Sequence, residues 1–294
     1  TYDCGKGLSE TFTLNVTVGI RIFGDNFPNY EFRQYLKANI DKDGDGYLND
    51  TELNIRTLDV SGQHIANLKG IEFFPNLETL YCYNNKLTSL DVSQNPALQY
   101  LYCYNNKLTS LDVSQNPALQ FLSCRENNLT SLNVSENEKL EELHCYENQL
   151  TELDVSGNPV LWYLDCDTNQ LTSLDVSKNT KLQMLFCSNN QLTSLDVSKN
   201  TNLTSLNCNQ NRLTSLKLSP TAVTTLEADG NRITIKIEET PRTFNLSTLP
   251  GFDVTKATNW SGGTVSGKTL KVNTGATQVT YTYDCGKGCN ATFT

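Results

Sequence analysis

The sequence lacks features on which several classes of protein depend. No apolar run approaches the ~20 residues that a helix needs to span a bilayer. Basic residues are also few, because 23 Lys and Arg face 32 Asp and Glu and leave a net charge of −9. Nucleic-acid binding needs a basic surface, so this balance excludes nucleic acid as a partner. Since only two histidines are present, His64 and His144, acid–base capacity is low and we expect no enzymatic activity.

Disulfide pairing does not explain most of the ten cysteines. Seven of them recur at intervals of 21 residues, which marks a repeat position rather than a set of pairs. These seven are Cys82, Cys103, Cys124, Cys145, Cys166, Cys187 and Cys208. Parallel side chains at sheet spacing are poorly aimed for disulfide geometry, and a buried Cys acts as a small hydrophobe. The column is therefore predicted to be structural.

The dominant feature that is present is a repeat of 21 residues. The pattern L-x-x-L-x-C-x-x-N-x-L-x-x-L-D-V-S-x-N begins at Leu77 and recurs without a gap through the turn that begins at Leu203, with Asn133 in place of Asp in one turn and KLSPT at the end of the last. An irregular first turn precedes this series and a degenerate turn follows it. One turn cannot bury its apolar side alone, whereas stacked turns share a continuous core. Leu80, Cys82 and Leu87, with their equivalents, are therefore predicted to point inward.

This pattern resembles the leucine-rich repeat, whose core is L-x-x-L-x-L-x-x-N/C-x-L. The resemblance implies an α/β-type solenoid, a right-handed superhelix of about eight 21-residue turns with a parallel β-sheet on its concave face. Two asparagine columns are expected to hydrogen-bond the buried backbone where each turn bends. One column runs from Asn85 to Asn211 and the other from Asn95 to Asn200.

An acidic loop upstream of the repeats carries a calcium-binding pattern. Residues 41–52, DKDGDGYLNDTE, match D-x-[DN]-x-[DN]-G-x5-E at every specified position. The preceding EFRQYLKANI has apolar residues at helical spacing. We therefore predict an EF-hand-like N-terminal cap that holds a structural calcium ion. The metal ligands that the pattern assigns are Asp41, Asp43, Asp45, the carbonyl of Tyr47, Asn49 and Glu52.

The two ends of the chain are related in sequence. TYDCGKGLSETFT at residues 1–13 nearly repeats as TYDCGKGCNATFT at 282–294, which indicates tandem modules. A start inside a strand-like stretch, with no initiator Met or signal peptide, predicts a fragment of a longer protein. A disulfide between Cys285 and Cys289 is left open.

Composition and motifs predict four segments. Thr, Val and Gly become frequent from about residue 239, and short stretches there alternate like half-buried strands, which predicts an antiparallel, immunoglobulin-like β unit. The predicted domains are 1–22, the tail of a preceding β module; 23–54, the cap; 55–238, the repeats; and 239–294, the β-rich unit.

The order of cap, repeats and β-rich unit resembles the internalin-type surface proteins of Gram-positive bacteria and related secreted repeat proteins of gut bacteria. The resemblance runs from about Phe23 to the end of the chain. It implies a secreted or cell-surface bacterial protein that binds host or neighbouring-cell ligands on the concave sheet and is not catalytic. This chain departs from the pattern in its repeat length, 21 residues instead of 22, and in its cysteine column. The departures leave the curvature and the ligand open.

Aromatic residues cluster on the predicted concave face. Seven of the thirteen tyrosines occupy outward positions of the strands. Tyr offers a large, rigid contact area with a polar tip, and an exposed aromatic patch typically marks an interaction site. We therefore predict an extracellular protein-binding or adhesion module. The predicted ligand-binding residues are Tyr81, Tyr83, Tyr100, Tyr102, Tyr104, Phe121, Arg125, Tyr146 and Tyr163.

Three other functions stay open at this point. Aromatic faces also stack on sugar rings, so a glycan ligand is one alternative, and the related ends suit a structural spacer in a tandem cell-surface array. Ser123, His144 and Asp165 share one column on successive strands, which raises the question of a hydrolase. Their mid-strand position argues against it, because the strand N–H groups are held in the sheet and no oxyanion donors are evident.

Overall fold

The computed structural model describes residues 2–3, 9–10, 19–218, 223–235, 237, 240–286 and 289–294, with backbone alone for 2–3, 9–10, 286 and 289. The chain opens with strands β1 (Tyr2–Asp3), β2 (Ser9–Glu10) and β3 (Ile20–Arg21). Most of the predicted β segment 1–22 lies outside the described residues, as do Cys4 and the side chain of Cys289.

The N-terminal cap consists of β3, helix α1 (Tyr30–Asn39), strand β4 (Tyr47–Leu48) and the short helix α2 (Asp50–Leu53). Helix α1 lies over the residues whose spacing predicts a helix. Asn29 caps it, because its side chain accepts a hydrogen bond from Phe32 N at 2.9 Å. Phe32 and Leu36 are fully buried and join the core of the repeats. No helix among the described residues is long and apolar enough to cross a bilayer.

The repeats build one nine-stranded parallel sheet with a 21-residue step between most strands. The strands in the repeats are β5 (Thr57–Asp59), β6 (Thr79–Tyr81), β7 (Tyr100–Tyr102), β8 (Phe121–Ser123), β9 (Glu142–His144), β10 (Tyr163–Asp165), β11 (Met184–Phe186), β12 (Leu195–Asp196), β13 (Ser205–Asn207), β14 (Leu216–Lys217) and β15 (Thr225–Glu227). Strands β12 and β14 form a separate pair from the second half of the repeat. The predicted solenoid is confirmed, and the irregular first turn supplies its first strand, β5.

The interior of the solenoid is a set of stacked apolar columns. Leu80, Cys82 and Leu87 have no exposed surface, and the equivalent residues of the following turns are equally buried. All seven column cysteines are buried, and burial raises the pKa of the Cys124 thiol to about 12. A neutral thiol in such surroundings packs as a small apolar group.

Asparagine side chains supply the hydrogen bonds that the bends of each turn lack. Asn106 Nδ2 donates to the carbonyl oxygens of Cys82 and Cys103, both at 3.0 Å, and its Oδ1 accepts from Leu87 N at 2.9 Å. In the second column, Asn116 Nδ2 donates to Val92 O at 3.0 Å and to Asn95 O at 2.9 Å. Each amide therefore ties two successive turns together, which is the role predicted for both columns.

The C-terminal unit consists of two three-stranded antiparallel sheets. Its strands are β16 (Thr243–Asn245), β17 (Ala257–Ser261), β18 (Gly263–Ser266), β19 (Thr269–Val272), β20 (Thr280–Gly286) and β21 (Cys289–Phe293). Tyr281 and Phe293 belong to the same core cluster as the repeats, and Tyr281 Oη donates to Thr214 O at 2.9 Å. The unit therefore covers the open end of the solenoid. Its immunoglobulin-like character stays a prediction.

The related ends of the chain pair in the same register. In the β20–β21 hairpin, Tyr283 lies opposite Ala291 and Asp284 lies opposite Asn290. In β1 and β2, Tyr2 lies opposite Glu10 and Asp3 lies opposite Ser9, which are the corresponding positions of the duplicated sequence. The duplication is thus found in the strand pairing as well as in the sequence. The boundaries of the four predicted domains stay a prediction.

Candidate functional site on the concave sheet

A continuous stack of aromatic rings crosses the outward side of the sheet from β6 to β11. Side chains alternate along each strand, so the residues on either side of each buried Leu face outward. We call these rings the ring ladder; its members are Tyr81, Tyr102, Phe121, His144, Tyr163 and Phe186. Ring centroids lie 4.7 Å apart for Tyr81–Tyr102 and 4.5 Å apart for Tyr102–Phe121. These distances match the ~4.8 Å between neighbouring strands, which is why the rings stack.

A second, shorter column runs beside the ring ladder. Tyr83 and Tyr104 stack with centroids 4.5 Å apart and planes 5° from parallel. The guanidinium carbon of Arg125 lies 3.9 Å from the Tyr104 ring centroid and 5.2 Å from that of Tyr146. Arg125 also pairs with Glu126. The column is thus two stacked tyrosines continued by a cation that lies between two rings.

Stacking determines which part of each ring is available to a ligand. The faces of Tyr81, Tyr102 and Phe121 cover one another, and Arg125 covers Tyr104. All these side chains are partly exposed. Their edges and hydroxyl groups therefore form the outer surface. Such a surface offers hydrogen bonds from Tyr hydroxyls and the positive edge of the aromatic quadrupole.

The structure brings together eight of the nine residues predicted for the ligand site. Tyr100 is the exception: it is 37% exposed, stands apart from both columns, and donates from Oη to Gln120 Oε1 at 3.2 Å. Two members of the ring ladder, His144 and Phe186, were absent from the predicted set. Strand alternation places both on the outward side, but only the observed side-chain conformations show that their rings continue the stack.

An acidic pair lies beside the far end of the ring ladder. Asp165 is next to His144 and Phe186 in the register of the sheet, and Asp167 is two residues further along the chain. Burial, and secondarily the negative charge of Asp167, raises the pKa of Asp165 to about 7. Burial also raises the pKa of Asp167, although a hydrogen bond from Ser188 opposes the rise. Both carboxyl groups are costly to ionise where they lie.

The column of Ser123, His144 and Asp165 does not have the geometry of a catalytic triad. Ser123 is only 3% exposed. The polar contact of the His144 ring is Nε2 to Glu142 Oε2 at 3.4 Å, on its own strand. Burial lowers the pKa of His144, with Glu142 opposing the shift. A hydrolase needs an accessible nucleophile hydrogen-bonded to its base, and this arrangement supplies neither.

The predicted calcium loop gathers three carboxylates. One oxygen each from Asp41, Asp43 and Asp45 lie within 4.8 Å of one another, a spacing that a metal ion could bridge. Backbone donors fix the turn of the loop around Asp41, because Gly44 N and Gly46 N donate to its carboxylate at 2.8 and 3.1 Å.

The other predicted ligands hold the backbone of the same loop. Glu52 is buried and accepts from Lys42 N at 2.6 Å and from Asn49 N at 2.9 Å. The Asn49 side chain caps α2, and Tyr47 N donates to Asp45 Oδ1 at 2.7 Å. Hard oxygen donors suit calcium better than a transition metal.

Comparison with known proteins identifies the repeats. Two family models of the leucine-rich repeat match residues 53–95 and 180–220 and residues 104–120. No curated protein matches the sequence.

Solved structures share the fold. Internalin C2 of Listeria monocytogenes is 20% identical with a TM-score of 0.61, and the match covers 69% of this chain and 93% of the internalin. A leucine-rich-repeat protein of Leptospira interrogans is 30% identical with a TM-score of 0.52 over 56% of this chain and 47% of that one. YopM, a leucine-rich effector of Yersinia pestis, is 25% identical with a TM-score of 0.54 over 68% of this chain and 53% of YopM. The chain therefore contains leucine-rich repeats, and its fold is similar to that of a Listeria internalin.

Proposed function

We propose that this protein is an extracellular, bacterial binding module that recognises a protein of a host or neighbouring cell through its concave face. The observation that carries the proposal is the ring ladder, which crosses six strands and keeps its rings partly exposed. Aromatic residues are enriched in protein interfaces, and contiguous exposed aromatic patches are unusual on surfaces without a partner. The similarity in fold to internalin C2 supports a role in protein binding at, or secreted from, the bacterial surface.

The arrangement of the rings favours a protein over a glycan. A sugar stacks on an open ring face, but Tyr102 lies between the rings of Tyr81 and Phe121, so both of its faces are covered. Ring edges and Tyr hydroxyls instead suit the backbone and polar groups of a protein. A glycan is thus the second choice of ligand.

Capture experiments test the proposal. The intact chain is immobilised with calcium and exposed to surface proteins of host and bacterial cells, and to a glycan array. We expect proteins retained by the native chain to be lost from Tyr81→Ala/Tyr102→Ala/Tyr104→Ala. Tyr30→Ala is the matched control, because Tyr30 is 60% exposed but lies on the cap. If the triple variant melts like the native chain and still retains the same proteins, the concave face is not the binding surface.

A structural spacer in a tandem surface array is the second candidate function. The identical strand register of the two chain ends favours it. This function requires no ligand, and two joined modules would form an extended rod in small-angle X-ray scattering. If the capture experiment retains no protein or glycan and the scattering curve is that of a rod, the spacer is favoured over the binding module.

We also propose that the cap binds one structural calcium ion through Asp41, Asp43, Asp45, the Tyr47 carbonyl, Asn49 and Glu52. The three neighbouring carboxylates repel one another without a cation. Calcium at 100 times its dissociation constant adds about 2.7 kcal/mol to the free energy of unfolding.

Titration calorimetry on the chelator-treated chain tests the calcium proposal. We expect Asp43→Asn to weaken calcium binding at least tenfold, while Asp50→Asn, an exposed non-ligand of the same loop, changes it less than about twofold. Absence of a calcium-dependent rise in Tm, or equal effects of the two variants, would refute a structural ion.

We propose no catalytic role. The burial of Ser123 supports this view, and a fluorophosphonate probe is expected to leave the protein unlabelled.

A further inference from the structure

Charge is divided unequally between the two halves of the concave face. The outward positions of β6, β7 and β8 carry one charged residue, Arg125. The outward positions of β9, β10, β11, β13 and β15 carry five carboxylates and no Lys or Arg. We call these five residues the acidic half; they are Glu142, Asp165, Asp167, Glu227 and Asp229. A ligand lying along the sheet therefore meets aromatic edges first and negative charge beyond them.

Asp165 and Asp167, the central carboxylates of the acidic half, form no ion pair within the described part of the chain, although Arg125 is near enough to lower the pKa of Asp165. Asp165 accepts a hydrogen bond from Asp167 N at 3.2 Å, and Asp167 accepts one from Ser188 N. Glu227 accepts from the amides of Asn207 and Asn209 at 3.0 and 3.2 Å. No Lys or Arg lies within ion-pair distance of Asp165 or Asp167 among the described residues. Half-buried carboxylates whose hydrogen-bond donors are all uncharged are stabilised when a cation approaches.

At the end of the ring ladder beside these carboxylates, the ring of Phe186 is incompletely covered. Tyr163 and Phe186 are tilted by 41° with centroids 5.6 Å apart, so they cover each other less than the rings at the other end. On its far side, Phe186 has Asn207 as its neighbour in the sheet rather than another ring. The apolar stem of a Lys or Arg side chain can pack on Phe186 while its charged head reaches Asp165.

Resting on the proposed protein-binding function, we infer that the partner presents a basic segment whose Lys or Arg side chain pairs with Asp165 and Asp167 beside Phe186, while neighbouring residues contact the ring ladder. Electrostatic complementarity of this kind determines specificity and association rate. The acidic half also repels acidic partners, in the same direction as the net charge of −9.

Peptide selection tests the inference. Random 12-residue peptides displayed on phage are panned on the intact, calcium-loaded chain, and enriched peptides are measured by fluorescence anisotropy. We expect an excess of Lys and Arg in the enriched peptides. Asp165→Asn/Asp167→Asn should weaken their binding at least tenfold.

A matched control separates local charge from net charge. Asp154→Asn/Asp175→Asn makes the same two Asp-to-Asn replacements on the opposite side of the turns, where the equivalent residue Asn133 is naturally neutral. We expect this variant to bind the peptides within about twofold of the native chain.

Four outcomes would overturn the inference, and they differ in what they say about the proposed function. Enriched peptides without an excess of Lys and Arg would refute the inference of a basic partner. Equal losses of peptide affinity in the two charge variants would refute it as well. Binding that is lost in Tyr102→Ala/Tyr104→Ala but kept in Asp165→Asn/Asp167→Asn also removes it, yet leaves the concave face as the binding surface. Binding that is kept in both variants removes the inference and the proposed function together.

Discussion

The stabilising hydrogen bonds of a single asparagine recur in each turn of the solenoid. Asn127 donates to the carbonyls of Cys103 and Cys124, both at 3.1 Å, and its Oδ1 accepts from Leu108 N at 2.9 Å. Replacing its side chain leaves buried backbone groups in two turns without partners. Because each such group costs about 1–3 kcal/mol, one asparagine of the column is worth more than one ordinary hydrogen bond.

We therefore expect Asn127→Ala to lower the free energy of unfolding by about 3 kcal/mol or more, measured by urea denaturation. Asn128→Ala is the matched control, since Asn128 is the exposed next residue, and its effect should stay within about 0.5 kcal/mol. Equal effects of the two substitutions would show that the amide column does not stabilise the fold.

Asp165 makes the stability of the protein depend on pH. Its pKa is about 7 in the folded chain, above the ordinary value near 4. Between these two values the folded chain holds a proton that the unfolded chain has lost, so stability falls as pH rises from about 4 to 7. The neighbouring charges are Asp167, which adds to the shift, and Arg125, which opposes it.

Asp165→Asn removes this effect, because the amide is neutral at every pH and keeps an acceptor for Asp167 N. We expect its Tm to exceed that of the native chain, with a larger difference at pH 8 than at pH 5. Asp154→Asn, at a fully exposed carboxylate whose pKa is lowered by Ser156, should show no such increase. A difference for Asp165→Asn that is the same at both pH values would contradict the assignment.

At the scale of elements, the contact between cap and first turn depends on a missing side chain. A Cβ on Gly70 would lie 2.1 Å from Cδ1 of Phe27, and Gly70 has φ +110. Phe27 is fully buried and meets Phe32 and Phe73 edge to ring. The cap therefore closes the solenoid by placing one aromatic ring against bare backbone.

We expect Gly70→Ala to destabilise the protein by about 1–3 kcal/mol more than Gly62→Ala. Gly62 also has a positive φ, +66, but nothing lies within 4 Å of the added Cβ. The larger effect at Gly70 has two causes, which are the clash with Phe27 and a φ that lies outside the left-handed region open to L residues. Circular dichroism melts of the two variants measure the difference, and similar Tm values would mean that Phe27 moves aside at little cost.

The sequence predicts the buried columns of the repeats but not the path of the ring ladder. The 21-residue spacing determines which residues are buried, so the columns of Leu80, Cys82 and Asn106 follow from period and residue type alone. The path of the ring ladder does not follow, because Tyr102 and Phe121 occupy different positions of their strands and meet only through their side-chain conformations. For the same reason, Tyr100 was predicted in the site and lies outside the stack, while Phe186 was missed.

Asp165 shows the same limit for electrostatics. Sequence places it in a column with Ser123 and His144, which suggests a triad. Only the packed structure reveals that Ser123 is covered and that Asp165 is desolvated.

At the scale of the whole molecule, one apolar core runs from the cap through the repeats into the C-terminal unit. Phe32 of the cap and Tyr283 and Phe293 of the last hairpin belong to one cluster with the columns of the solenoid. A smaller cluster around Leu270 lies within the C-terminal unit. Because nearest-neighbour contacts couple each turn to the next, the ends are expected to unfold with the middle.

The two tryptophans provide a test of this coupling. Trp162 lies in the repeats, whereas Trp260 stacks on Tyr281 at 4.7 Å in the C-terminal unit. Trp162→Phe and Trp260→Phe each leave a single tryptophan, whose fluorescence reports on one part of the molecule. We expect the two variants to show urea transitions whose fluorescence and circular dichroism midpoints coincide within each protein. Loss of the Trp260 signal at a lower urea concentration would mean that the C-terminal unit unfolds by itself.

The constant 21-residue step has a consequence for how such a protein changes in evolution. The turns that begin at Leu77 and Leu98 differ at only two of 21 positions. Gain or loss of one unit by recombination between such copies leaves the cysteine, asparagine and leucine columns in phase. Each event lengthens or shortens the concave face by one strand, about 4.8 Å, without a new core having to be selected. The lineage can therefore alter the length of the concave face in whole steps while the sequence of each unit stays nearly constant.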